Sequence, residues 1–136
     1  MPEAPQQLPP ELVAEFVRVA HGGLDETRAM LDREPQLVNA GWDWGAGDWE
    51  TGLGAAAHVG HREIAELLID RGARLDIFAA AMLGETEIVR AILKAFPATR
   101  DALGPHSLSL LEHAQNGGAW AQGVLDLLET PAEAIS

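Results

Sequence analysis

A chain of 136 residues is long enough for one shared apolar core and too short to hide a second one. Nine basic against 21 acidic side chains give a net charge of −12, which repels nucleic acid and anionic membrane surfaces and favours cationic partners, a basic protein among them, or plain solubility. Cysteine is absent, which removes disulfides, thiolate nucleophiles and cysteine-based zinc sites.

The opening MPEAPQQLPP has no cationic segment followed by an apolar run, and roughly 18 consecutive apolar residues occur nowhere, so a cytoplasmic protein is expected. Its four prolines disfavour regular hydrogen bonding, which makes residues 1–10 a flexible or draped leader. From Pro10 onward, Leu12, Val13, Phe16, Val17 and Ala20 recur on one helical face. His21-Gly22-Gly23 ends that helix. A partner helix is expected over about Leu24 to Arg33, with Thr27, Met30 and Leu31 inward, and Pro35 stops it.

Residues 39–49 break the regular pattern and hold Trp42, Trp44 and Trp49, three of the four tryptophans. Beyond them, small residues Gly54 to Ala57 predict a short, closely packed helix, and Ile64, Ala65, Leu67 and Leu68 predict a second one. Gly60 lies between the two, where a turn with positive φ is expected. Asp76 to Leu83 and Glu85 to Ala95 repeat the pair, with Ile88, Val89, Ile92, Leu93 and Phe96 as core, and Asp76 caps the first of them. A last pair runs through His106 to Ala114 and Val124 to Leu128, after which residues 131–136 form a frayed tail.

The segments Ala57 to Leu68 and Ala81 to Leu93 share an A-x-x-G, I-V-x-x-[I/L]-L grammar, with weaker copies around Ala20 to Leu31 and Ala114 to Leu125. In these residues the chain resembles the ankyrin-repeat family, whose unit runs T-P-L-H-x-A-A, two variable residues, G, I-V-x-x-L-L and G-A-D. The resemblance implies an all-α, ankyrin-like solenoid of about four stacked helical hairpins over residues 11–130, with degenerate terminal repeats and irregular loops. Two departures stand out: Thr51-Gly52-Leu53-Gly54 replaces T-P-L-H, and Leu75-Asp76-Ile77-Phe78 replaces it in the next unit. The spacing is also uneven, since 37 residues separate Gly23 from Gly60, 24 separate Gly60 from Gly84, and 33 separate Gly84 from Gly117.

In such a stack the inner helices and connecting fingers face a concave groove, which the resemblance gives to His21, His58, Met82 and Gln115. The leading expectation is an adaptor that binds a protein through this groove and the tryptophan loop, with Trp42, Trp44, Trp49, Glu50, His21, His58, Phe78 and Met82 as contacts. The alternative is a small enzyme or small-molecule binder with a closed pocket among Trp49, His58, Phe78, Met82 and His106. Its acid and base groups would come from Asp48, Glu50, His58, His106 and His113. Each residue also has a plainer role: the tryptophans plug irregular spacing, Asp48 and Glu50 cap the helix after Thr51, and His106 and His113 are hydrogen-bonded structural groups. His58 and His61 are three apart with Gly60 between them, which makes a poor metal pair, so neither metal nor cofactor is expected. His61 stands where the family has its histidine after the repeat glycine, a position that the resemblance implies braces neighbouring loops. The array is expected to be a monomer or a weak homo-oligomer.

Overall fold

The computed structural model describes residues 4–136, so the first three residues of the expected leader lie outside it. Its eight α-helices form consecutive pairs: α1 (Pro10–Val19) with α2 (Leu24–Arg33), α3 (Gly52–Val59) with α4 (Arg62–Asp70), α5 (Ile77–Leu83) with α6 (Thr86–Ala95), and α7 (Leu110–Asn116) with α8 (Gln122–Glu129). The order follows the sequence periodicity, except that the helix expected from His106 starts only at Leu110 and His106 lies in the loop before it. Among the described residues no helix is long and apolar enough to cross a membrane.

Local chemistry explains most boundaries. Pro10 opens α1, where its missing N–H costs nothing, and the side chains of Thr51, His61, Asp76 and Ser109 accept the free N–H groups at the starts of α3, α4, α5 and α7. Gly60 and Gly84 end α3 and α5 in the left-handed region, with φ of 76° and 78°. Both positions also require glycine sterically. A Cβ on Gly60 would stand 2.3 Å from the Asn116 carbonyl oxygen, and one on Gly84 would stand 2.0 Å from that of Trp120.

The odd-numbered helices pack in sequence, α1 on α3, α3 on α5, α5 on α7, while α3 also reaches α7 directly. A strict solenoid confines contacts to adjacent units. The short connection from α4 to α5 leaves no room for a finger, and the alanine faces of α3 and α5 let a third helix come close. Asn116 at the end of α7 seals this approach by donating from Nδ2 to the His58 carbonyl at 2.6 Å.

Two apolar clusters run through the helices. Phe16, Val17, Leu31, Leu37, Leu53, Ile64, Leu68 and Met82 belong to the first, and Ala80, Ala81, Val89, Leu110, Val124 and Leu127 to the second. Two expected core residues of α6 lie outside: Ile88 is exposed, and Phe96 is 69% exposed because α6 ends one residue before it.

The stretch expected as an irregular loop is a β-hairpin, so the chain is not purely helical. Strand β1 (Gly41–Asp43) pairs antiparallel with β2 (Trp49–Thr51), with Trp42 opposite Glu50. Asp43 holds the turn, its Oδ1 accepting from the backbone N–H of Gly45 at 2.8 Å and of Gly47 at 3.1 Å. A second tight loop follows α6, closed by a bridge between Leu103 and Ser109 and by a bond from Gly104 N to Leu108 O. The site lies where the hairpin and this loop meet the ends of α1 and α3.

Candidate functional site

Strand alternation decides where Glu50 goes. Successive side chains on β2 point to opposite faces, so Trp49 stays 63% exposed while Glu50 is 1% exposed beneath it. The Nε1–H of Trp44 donates to Glu50 Oε1 at 3.0 Å. Around the same carboxylate stand three imidazole Nε2 atoms: His21 at 3.3 Å from Oε1, His58 at 3.0 Å from Oε2 and His106 at 3.3 Å from Oε2. Despite these distances, Oε2 is buried with no directed hydrogen bond.

Each imidazole is brought in by a different element. His21 follows the end of α1, and its Nδ1–H donates to the Val17 carbonyl at 2.9 Å. His58 occupies the last turn of α3, and its Nε2 lies 3.1 Å from that of His21. His106 sits at the tip of the second loop in the left-handed region, with φ of 60°, a conformation that costs a non-glycine residue energy. Asp48 holds it there, Oδ1 accepting from His106 N and Oδ2 from His106 Nδ1, both at 2.7 Å. The ring of His58 meets His21 and His106 edge-on at centroid separations of 5.0 and 5.1 Å, and Trp44 lies over His21 and His106 at 6.5 and 6.2 Å.

The electrostatics follow from this arrangement. Burial pushes the Glu50 carboxyl up, but His21, His58 and the Trp44 indole facing it prevail and hold it at about 2, so Glu50 is an anion at neutral pH. The Glu50 carboxylate in turn raises the pKa of His21 against the opposing effect of its own partial burial. Asp48 is lowered, chiefly by the His106 backbone N–H. A buried anion ringed by imidazoles can hold a cation or exchange a proton with a small ligand.

The placement corrects several sequence readings. Asp48 and Glu50 do not cap α3; Thr51 does, accepting from Gly54 N at 3.0 Å, which frees the two carboxylates to face His106 and the histidine ring. His21 and His58 touch rather than merely sharing a trough. Of the five residues expected to enclose a pocket, Trp49, His58, Phe78, Met82 and His106, the two histidines meet at the centre. Met82 is buried in the first core cluster, and Phe78 packs on His113 at 5.0 Å. His113 itself is buried away from the centre with Nδ1 on the Ser109 carbonyl, and burial lowers its pKa. His61, expected to brace neighbouring loops, instead caps its own helix α4, Nδ1 accepting from Ile64 N. Gln115 lies elsewhere, on an open groove beside Arg100 and Leu125.

Of the loop tryptophans, Trp42 is half-buried against the first core, Trp44 belongs to the site and Trp49 lines an apolar groove of about 320 Å³ with Leu8 and Val13. A second open groove, about 570 Å³, runs between the two loops past Asp48 and His106.

Residues 48–79, which include Asp48, Glu50 and His58, match the family model described as ankyrin repeat. No curated protein and no solved structure matches the chain.

Proposed function

Starting from the match of residues 48–79 to the ankyrin-repeat family, we propose that this protein uses a repeat scaffold to hold a small ligand at Glu50, His21, His58 and His106. One observation carries the reading: a fully buried, ionised carboxylate has three imidazole nitrogens within 3.3 Å, each from a different part of the chain. Burying a charge is costly unless something repays it, and a core built for stability alone would place apolar groups there. Trp44 roofs the centre, and the Asp48–His106 pair stands at its open side. The stacked units supply rigidity; the hairpin and the second loop supply the chemistry.

Thermal shift tests this reading with zinc, magnesium, spermidine and inorganic phosphate as probes, comparing wild type with Glu50→Gln. Stabilisation of the wild type by at least one probe, abolished in the variant, is expected. Equal response of both proteins to every probe would refute the site.

A second reading rests on Trp49. Ankyrin repeats are in general protein-interaction modules, and this exposed ring beside an apolar groove on a strongly acidic chain suits a basic partner docking on the hairpin. Trp44, although partly exposed, is committed to Glu50 through its indole N–H, which is why the ligand site takes precedence. Pull-down with Trp49→Ala tests it: recovery of the same partners in the same yield would exclude the hairpin as the contact.

A further inference from the structure

We propose that the ligand of this centre is a divalent first-row transition metal ion of the zinc type, bound by the Nε2 atoms of His21, His58 and His106 and by the Glu50 carboxylate. The inference rests on the ligand-site reading above and names its occupant.

The spacing of the donors is the first argument. Four N and O donors arranged tetrahedrally at about 2.0 to 2.1 Å from one ion lie about 3.3 Å from each other. Here His21 Nε2 and His58 Nε2 are 3.1 Å apart, the contacts of the imidazoles with Glu50 are 3.0 to 3.3 Å, and one donor atom from each residue lies within 4.8 Å of all the others. The short contacts divide between the two carboxylate oxygens, His21 on Oε1 and His58 and His106 on Oε2, so the four residues surround one small volume.

Proton placement is the second. The Val17 carbonyl and the Asp48 carboxylate can only accept, so the Nδ1 atoms of His21 and His106 carry hydrogens. With Nδ1 protonated, each Nε2 either bears a second proton that faces Glu50 or, in the neutral ring, presents a lone pair that a metal ion between ring and carboxylate can take. The same Nδ1 bonds are the outer contacts that orient metal-binding imidazoles, with a backbone carbonyl serving one ring and a carboxylate the other.

The third argument is Glu50 Oε2, which is buried, ionised and without a directed hydrogen bond while Oε1 takes the Trp44 indole. A metal would satisfy it. Three imidazoles with one carboxylate suit ions that accept nitrogen and disfavour calcium and magnesium, which prefer oxygen. Because the donors span residues 21 to 106, the ion would tie the end of α1, the hairpin, α3 and the second loop together.

Chelator-treated protein is titrated with cobalt(II), read by its visible ligand-field bands, and with zinc by calorimetry. One equivalent of each is expected, with strong tetrahedral-type cobalt bands. His58→Ala and His106→Ala should weaken zinc binding at least 100-fold, and Asp48→Asn, which leaves all four donors in place, by roughly 10- to 100-fold. The control His61→Asn keeps a capping oxygen at α4 and should bind like wild type. Circular dichroism establishes that each variant is folded, and any that is not is replaced by the Gln substitution at the same position. Absence of zinc heat and cobalt bands overturns the metal, as does equal loss in His61→Asn or full retention in both His58 and His106 variants. Failure with metals while spermidine or phosphate still stabilises the wild type in a Glu50-dependent way would remove the metal and leave the ligand site standing; failure with every probe would remove both.

Discussion

Gly60→Ala measures how tightly α3 and α7 are joined behind the site. Two costs are separable. The left-handed backbone, with φ of 76°, penalises any Cβ by about 1 to 2 kcal/mol. In addition the new Cβ would stand 2.3 Å from the Asn116 carbonyl oxygen, so the end of α7 must retreat by roughly 1 Å to reach ordinary contact. That retreat weakens the 2.6 Å bond from Asn116 Nδ2 to the His58 carbonyl, a contribution of about 1 kcal/mol. The expected total is about 2 to 3 kcal/mol. Gly72 supplies the comparison, since its φ is 99° but nothing lies within 4 Å of its Cβ position, so Gly72→Ala should cost only the backbone part, about 1 to 2 kcal/mol. Urea unfolding at unchanged m-value reads both. If the two substitutions destabilise equally, within about 0.5 kcal/mol, the close approach of α7 to the α3 turn is wrong.

Other consequences follow from the same contacts. Thr51→Ala and Asp76→Ala each remove an N-cap acceptor and should each lower unfolding free energy by about 1 kcal/mol, whereas Thr51→Ser should be nearly silent. Arg62→Ala loses a 2.6 Å bond to the Leu83 carbonyl and the stacking of its guanidinium over Trp120 at 4.6 Å, a combined effect of about 1 to 2 kcal/mol in urea, accompanied by altered Trp120 fluorescence. Glu50 has a folded pKa depressed from 4.5 to about 2, so in metal-free protein its stabilisation is present above pH 4.5 and is lost as pH falls towards 2. His21 is shifted the other way, so its contribution is present below pH 6.5 and is lost as pH rises through its elevated folded value. Glu50→Gln should flatten both limbs of a melting-temperature profile; an unchanged profile would show that the carboxylate is not paired with the imidazoles.

The helices were legible because each carries its own signal: the stripe from Leu12 to Ala20, the glycines at 60 and 84, the capping oxygen of Asp76. Those features act within a few residues of themselves. The hairpin was not legible, since strands of three residues are too short for alternation to register, and the turn rests on Asp43 bonding to Gly45 and Gly47. That omission hid the site, because only alternation on β2 separates buried Glu50 from exposed Trp49. His106 was named among the acid and base candidates, but its meeting with Glu50 was not legible: it lies far along the chain and arrives on a loop whose strained tip is fixed by Asp48. The direct contact of α3 with α7 had one trace in the sequence, the short spacing between Gly60 and Gly84, but spacing alone does not say which helix fills the gap.

Long-range 1H–15N correlation of the five histidine side chains in chelator-treated protein tests the convergence on Glu50 most directly. Protonated Nδ1 is expected for His21 and His106, and Glu50→Gln should shift the Nε2 resonances of His21, His58 and His106 while leaving His61 and His113 in place. Five rings that titrate independently, or a Glu50→Gln spectrum indistinguishable from wild type at those three, would contradict a shared centre.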